Sequence, residues 1–245
     1  MLYNFMRNRL SAVSYSKDNL TRFINEFARI YGPIEFDKHY QLTYIKNYLE
    51  SALKCKWMVC ESHYIDREYM DAFASYYSKC LRSYPNYCQR IHFFSDTFEL
   101  SFFKELLEES RKNKDTKDNK DIPNLKKITD CYQGFMVIRP QNKTFVGQTV
   151  LAVLKGEGRR FPCTRDYDVN LFGVNLKING LAFQQQDHAV SACATAALWM
   201  AFQRVAFIEG YKIPSTVEIT ASATKFSLMM GPFFSFSWFE ANADV

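Results

Sequence analysis

No stretch of this 245-residue chain reaches the roughly 20 consecutive apolar residues that a membrane-spanning helix needs, so a bilayer span is not expected. The opening "MLYNFMRNRLSAVSYSKDNL" lacks an apolar core of signal-peptide length, which argues against export and for a cytoplasmic protein. Charge of one sign is also scarce. The net charge of +5 is spread over 31 basic and 26 acidic residues, without the clustered excess that a nucleic-acid footprint requires. The seven cysteines form no closely spaced pairs of the zinc-ribbon type. Cys55, Cys60 and His63 come nearest to a ligand cluster, but they sit in a run that reads as helix, so no metal and no cofactor is expected. An odd cysteine number scattered through helix-like and strand-like segments suits a reduced compartment. Histidine is scarcer still. All four (His39, His63, His92 and His188) precede Cys193, and none lies among the 52 residues that follow it.

What is plentiful is large apolar side chains. Aromatics make up 16% of the chain, with 22 Phe and 15 Tyr, enough for a substantial core built on rings. Residues 17–83 read mainly as helices. In "DNLTRFINEFARIYG", Leu20, Phe23, Ile24, Phe27 and Ile30 recur at helical spacing, Asp18 is placed to cap the start and Gly32 to end it. "YQLTYIKNYLESALKCKWMVCE" and "DREYMDAFASYYSKCLRSYP" repeat the pattern. The stripe Tyr69, Phe73, Tyr76 and Tyr77 reads as core packing.

Beyond Pro85 the texture changes. "CQRIHFF" is a short β-like run containing His92, and "TFELSFFKELLEES" is an amphipathic helix. The stretch 110–121 is almost free of apolar residues and reads as a solvated, mobile charged loop. Strand signals then dominate in "YQGFMVIRP", "TFVGQTVLAVL" and "YDVNLFGVNLKINGLAF", punctuated by Gly173 and Gly180. The expected organisation is a mainly helical region over 1–130, and a strand-rich region over 131–245 that leads into the segment from Ser191. From there to Ile208 the chain is apolar on every face of a helix, which predicts burial all round. Ser191 is placed to cap it and Gly210 to end it. The run Phe226–Phe239 carries six aromatics and no charge; a strand that closes the fold, an interaction patch, and a truncated or shifted reading frame all remain open for it.

The chemistry concentrates in "QQQDHAVSACATAALWMAF", residues 184–202. Cys193 falls in the first turn of the apolar helix, where unpaired N–H groups and the positive helix end favour a thiolate. Gln184, Gln185 and Gln186 lie a short loop upstream, and a side-chain amide beside the nucleophile's own N–H is one good solution for an oxyanion. Read from the residues alone, Cys193 is either a nucleophile or one more small core residue.

The order glutamine, short loop, cysteine at the start of an apolar helix resembles the papain-like cysteine peptidases, most closely the C39 and C39-like group. "CATAALWM" has the small residues and Ala-Leu pair that follow the cysteine there, and "GYKIPSTVEITASATK" resembles the step into the next helix. The resemblance covers about residues 183–225, and the strands before it resemble the lead-in of bacterial proteins that carry this domain. The pattern along the chain predicts an α+β fold with a helical N-terminal layer, a central antiparallel sheet and a buried helix starting at Cys193, this last as in the papain-like and C39-like peptidases that the segment resembles. The resemblance implies hydrolysis of peptide or amide bonds by Cys193 as nucleophile, with Gln186 best matching the oxyanion glutamine. Such a domain is incomplete here, because the family's general-base histidine follows the cysteine and this chain has none there. The implied partner is a peptide or protein substrate. The alternative is a non-catalytic binding or regulatory protein with a protein partner, built on the same scaffold.

Overall fold

From Arg165 to Phe183 apolar and polar side chains alternate, so a strand buries one face and turns the other to solvent. Two strands result, β6 (Arg165–Leu171) and β7 (Val174–Phe183), and their burial alternates residue by residue. They are joined at Phe172-Gly173, both with positive φ (50° and 102°), as a two-residue hairpin turn requires. Asn170 supports the turn by accepting from the Gly173 N–H at 3.0 Å. In the computed structural model, which describes residues 10–29, 32–36, 39–99, 101–103, 105–106, 108, 123–154, 156, 158–187 and 193–229, this hairpin is one end of a seven-stranded sheet. The other strands are β1 (Leu10–Ser14), β2 (Trp57–Tyr64), β3 (Cys88–Phe94), β4 (Tyr132–Ile138) and β5 (Val146–Ala152). The spatial order is β1-β2-β3-β4-β5-β7-β6 and every neighbouring pair is antiparallel. The protein is therefore a mixed α+β chain. Strands from both sides of residue 130 share the sheet, with Ile91 of β3 opposite Met136 of β4.

Helices α1 (Lys17–Ala28) and α2 (Tyr40–Asn47) cover one face. Ser16 caps α1 by accepting from the Asn19 N–H. Leu20, Phe23, Ile24 and Leu42 then pack on Met58, Cys60, Ile91, Phe93 and Met136. The opposite face carries α3 (Arg67–Ser75), α4 (Pro123–Asp130), α5 (Cys193–Ile208) and α6 (Thr216–Met229). Here Tyr69, Tyr77 and Trp199 pack on Val59, Phe135, Val150, Val169 and Leu176.

Two expectations are corrected. Residues 57–64 lie in a segment read as helix, yet they form β2 at the heart of the sheet, between β1 and β3. The preceding helix runs into a single π-helical turn at Tyr48–Ala52, and Lys54 takes a left-handed conformation at φ 51° that ends it. "WMVCESHY" then pairs on both sides and buries Met58 and Cys60 on one face and Val59 and Glu61 on the other, so pairing in the sheet decides the outcome.

The second correction concerns α5, which is buried on one face only. Thr195, Ala196, Trp199, Gln203 and Ala206 point inward at helical spacing, whereas Leu198, Val205, Phe207 and Ile208 are about half exposed. The physical reason is position. The helix lies on β6 and β7, at the end of the sheet, with α6 as its main helical neighbour. Arg165 fastens it there, its guanidinium stacked on the rings of Tyr167 and Phe207 and donating to Gln203 Oε1 at 3.0 Å. Gly210, at φ 69°, ends α5 as read. The helix α6 starts with a reciprocal cap, in which the Ser215 N–H donates to Glu218 Oε2 and the Glu218 N–H to Ser215 Oγ.

Candidate functional site

β7 does not stop cleanly at Phe183. The Gln185 N–H donates to Val146 O at 2.9 Å and its side chain clasps the same segment, Oε1 accepting from the Val146 N–H and Nε2 donating to Lys143 O. Arg139 closes this clasp by donating from Nη2 to both Val146 O and Gln185 O at 2.7 Å. Gln185 is thereby spent on structure. Two residues on, the buried carboxylate of Asp187 accepts from the Tyr77 hydroxyl at 2.7 and 2.8 Å and from Gln141 Nε2 at 3.2 Å, with Arg139 Nη1 at 3.7 Å. Burial, and then the neighbouring Asp187 charge, push the Tyr77 phenol well above its ordinary range, so it stays protonated and donating.

Between these two anchors, Gln186 turns outward and its Oε1 accepts from Cys193 Sγ at 2.7 Å. Cys193 is exposed at the first position of α5. The structure thus brings together the two residues singled out from the sequence and separates Gln186 from its neighbours, since Gln184 is buried and Gln185 is occupied. The contact shows a thiol donating to an amide oxygen. A thiolate or an oxyanion needs a donor instead, so in either state the amide must turn to present Nε2.

No imidazole lies within hydrogen-bond reach of Cys193 among the described residues. His92 is fully buried in β3, its Nε2 2.9 Å from Glu61 Oε2 and its Nδ1 3.0 Å from the Tyr132 hydroxyl. Burial pushes its pKa down to about 4 despite the Glu61 contact. A neutral ring then donates from Nε2 to Glu61 and accepts from Tyr132 at Nδ1. Glu61 would be pushed up by burial, but the His92 hydrogen bond and the Arg90 guanidinium at 2.5 Å hold it below its ordinary value. This cluster is a structural one, as the β-strand reading of "RIHFF" implies. Elsewhere, His63 is exposed and stacks on Tyr87, and His39 lies against Phe145 on the far face of the sheet. Cys60, read beside His63 as a possible ligand, is buried in the core. His188, Ser191, the charged loop 110–121 and the aromatic run beyond Met229 lie outside the described residues.

Sequence reasoning missed the anchors. Tyr77 was read only as core and does pack there, but its hydroxyl reaches 110 positions along the chain to Asp187. The one local signal was an acid directly after three glutamines. Glu68 was missed as well. On α3, it accepts from the Thr216 N–H at the start of α6 at 3.1 Å, and the Trp199 indole N–H lies beside it without a well-formed hydrogen bond. Burial pushes its carboxyl up to about 7.

The fold and the site together define a mixed α+β protein with an exposed thiol at a helix start, paired with a glutamine amide on a doubly anchored loop. No family model, no curated protein and no solved structure matches this chain. No described helix is long and apolar enough to cross a membrane.

Proposed function

We propose that this chain carries the nucleophile half of a papain-like, C39-related cysteine-peptidase site. Cys193 is the nucleophile and Gln186 the oxyanion donor. The observation that supports the reading most is the 2.7 Å contact between Cys193 Sγ and the Gln186 amide, with Gln186 flanked by hydrogen-bonded anchors at Gln185 and Asp187. In the reaction, sulfur attacks the carbonyl carbon of a peptide or amide substrate. The negative oxygen that results is held by Gln186 Nε2 and the Cys193 backbone N–H. Collapse expels the protonated amine and leaves a thioester, and water then releases the acid and regenerates the thiol. A base must take the thiol proton and return it to the leaving amine. No described side chain is placed to do so, which leaves the site incomplete as described.

A second reading, a non-catalytic binding protein on the same scaffold, is favoured by the burial of His92 away from Cys193. One experiment separates the two. Iodoacetamide labelling with peptide mapping compares Cys193 with Cys163, the other exposed cysteine. An activated nucleophile labels at least about tenfold faster than Cys163 at neutral pH, and Gln186→Ala removes most of that difference. Equal rates at the two cysteines, matching the urea-unfolded chain, would sink the peptidase reading in favour of the scaffold.

A further inference from the structure

α2 covers its face of the sheet only as far as β5. Beyond it, β7 and β6 turn exposed polar side chains to the same side, with Asp166 opposite Asn179 and Asp168 opposite Lys177. At the seam between the covered and open halves lies a cavity of about 590 Å³. Its walls are Tyr44 and Tyr48 on one side, Leu181 and Phe183 of β7 as floor, and Phe161 on the other. Leu181 and Phe183 point away from Ala182, which packs with Trp199, so this cavity and α5 occupy opposite faces of the sheet.

Three features mark it as a built site. Its volume falls within the roughly 300–1,000 Å³ typical of small-molecule pockets. Its aromatic wall is fixed in advance: the Tyr44 and Tyr48 rings are parallel within 9°, and the Tyr48 hydroxyl donates to Ala152 O at 2.8 Å while accepting from the Leu154 N–H at 3.0 Å. Arg159 also lines the cavity, exposed and without a carboxylate partner among the described residues. It is the one cation among the described lining residues.

We propose that this groove binds a small aromatic carboxylate, with its ring system against Tyr44 and Leu181 and its carboxylate on the Arg159 guanidinium. The apolar walls recognise the ring by area and stacking, and a single guanidinium fork matches one carboxylate in charge and geometry. A dianionic phosphate would meet only one cation among the described lining residues, half of the charge it carries. The site is independent of the thiol chemistry proposed for the other face.

The test is calorimetric titration of the full chain with 2-naphthoate, and with 2-naphthalenemethanol as its neutral counterpart. Naphthoate is expected to saturate one site. Arg159→Gln weakens it by about tenfold and leaves the alcohol unchanged, whereas Leu181→Trp, which fills the groove, removes both. Cys193→Ser changes neither. Arg159, Leu181 and Tyr44 are exposed, so their replacement leaves the fold standing, and far-ultraviolet circular dichroism checks this; Tyr44→Ala provides a second groove variant, expected to weaken both ligands. Absence of saturable naphthoate binding, equal affinity for Arg159→Gln and the parent chain, or binding that survives Leu181→Trp would overturn the proposal.

Discussion

Replacing Tyr77 by Phe removes one oxygen and tests the anchor on which Gln186 depends. The ring stays, packed against Tyr69 at 5.9 Å and Tyr84 at 4.8 Å, so no cavity opens. What is lost is a hydroxyl shared between both oxygens of a buried carboxylate. A hydrogen bond to a charged group contributes about 1.5–3 kcal/mol, and Asp187 keeps Gln141 and the more distant Arg139, so the expected loss is about 2 kcal/mol. With a urea dependence of about 3 kcal/mol/M, the unfolding midpoint falls by about 0.7 M at unchanged slope. Thermal unfolding shifts down by about 4–8 °C for a chain of this size. Cys193 labelling, read in the same preparation, should move toward that of Cys163 as the 184–187 loop loosens. A stability change within about 0.5 kcal/mol, the range of ordinary surface substitutions, would refute the idea that Tyr77 holds Asp187.

Glu68 and His92 give opposite pH signatures. The folded pKa of Glu68 lies at about 7, above its ordinary 4.5, so the folded state keeps the proton longer and stability falls as pH rises across that window. The group is partly exposed, so the expected loss is about 1–2 kcal/mol, and Glu68→Gln should abolish it in urea midpoints taken at pH 5 and pH 8. An unchanged slope in that variant would exclude Glu68 as its source. His92 is depressed to about 4 from 6.5, so the unfolded chain takes up the proton first and stability is lost as pH falls from 6.5 toward 4. By nuclear magnetic resonance its imidazole should stay neutral down to pH 5, whereas a midpoint near 6.5 would contradict its burial. Gly180→Ala places a Cβ 2.5 Å from Leu151 O and 2.8 Å from Val150 Cγ1, prying β7 from β5 at an expected cost of about 3 kcal/mol. An unchanged melting temperature would show that the strands move apart freely.

Where side-chain pattern and local turn chemistry agree, the fold was legible in the sequence. β6 and β7 alternate cleanly around a Phe-Gly turn, and α1 carries its stripe, although Ser16 rather than Asp18 caps it and it ends at Ala28, ahead of Gly32. Legibility failed at β2, because the apolar residues of "CKWMVCESHY" suit a buried helix as well as a central strand. Only pairing with β1 and β3, contributed from elsewhere in the chain, distinguishes the two. It failed differently at α5. Apolar composition all round predicted complete burial, yet the helix sits where the sheet runs out, and position in a sheet order is not a local property.

The glutamine triplet shows why a site can be found in a sequence before its members can be told apart. Three identical side chains in a row differ only in what the backbone does with each. Gln185 still follows the strand and is pulled onto Val146, while Asp187 is drawn inward by a phenol from α3's own continuation, 110 positions away. With its neighbours committed on either side, Gln186 is the one left facing α5, and the helix register places Cys193 within 2.7 Å of it. Its assignment therefore rests on residues that never touch the thiol. Altering Arg139 or Tyr77 should disturb the pair as surely as altering Gln186 itself, whereas Gln184→Ala, on a buried side chain outside the clasp, should cost stability and leave the Cys193 labelling rate where it was.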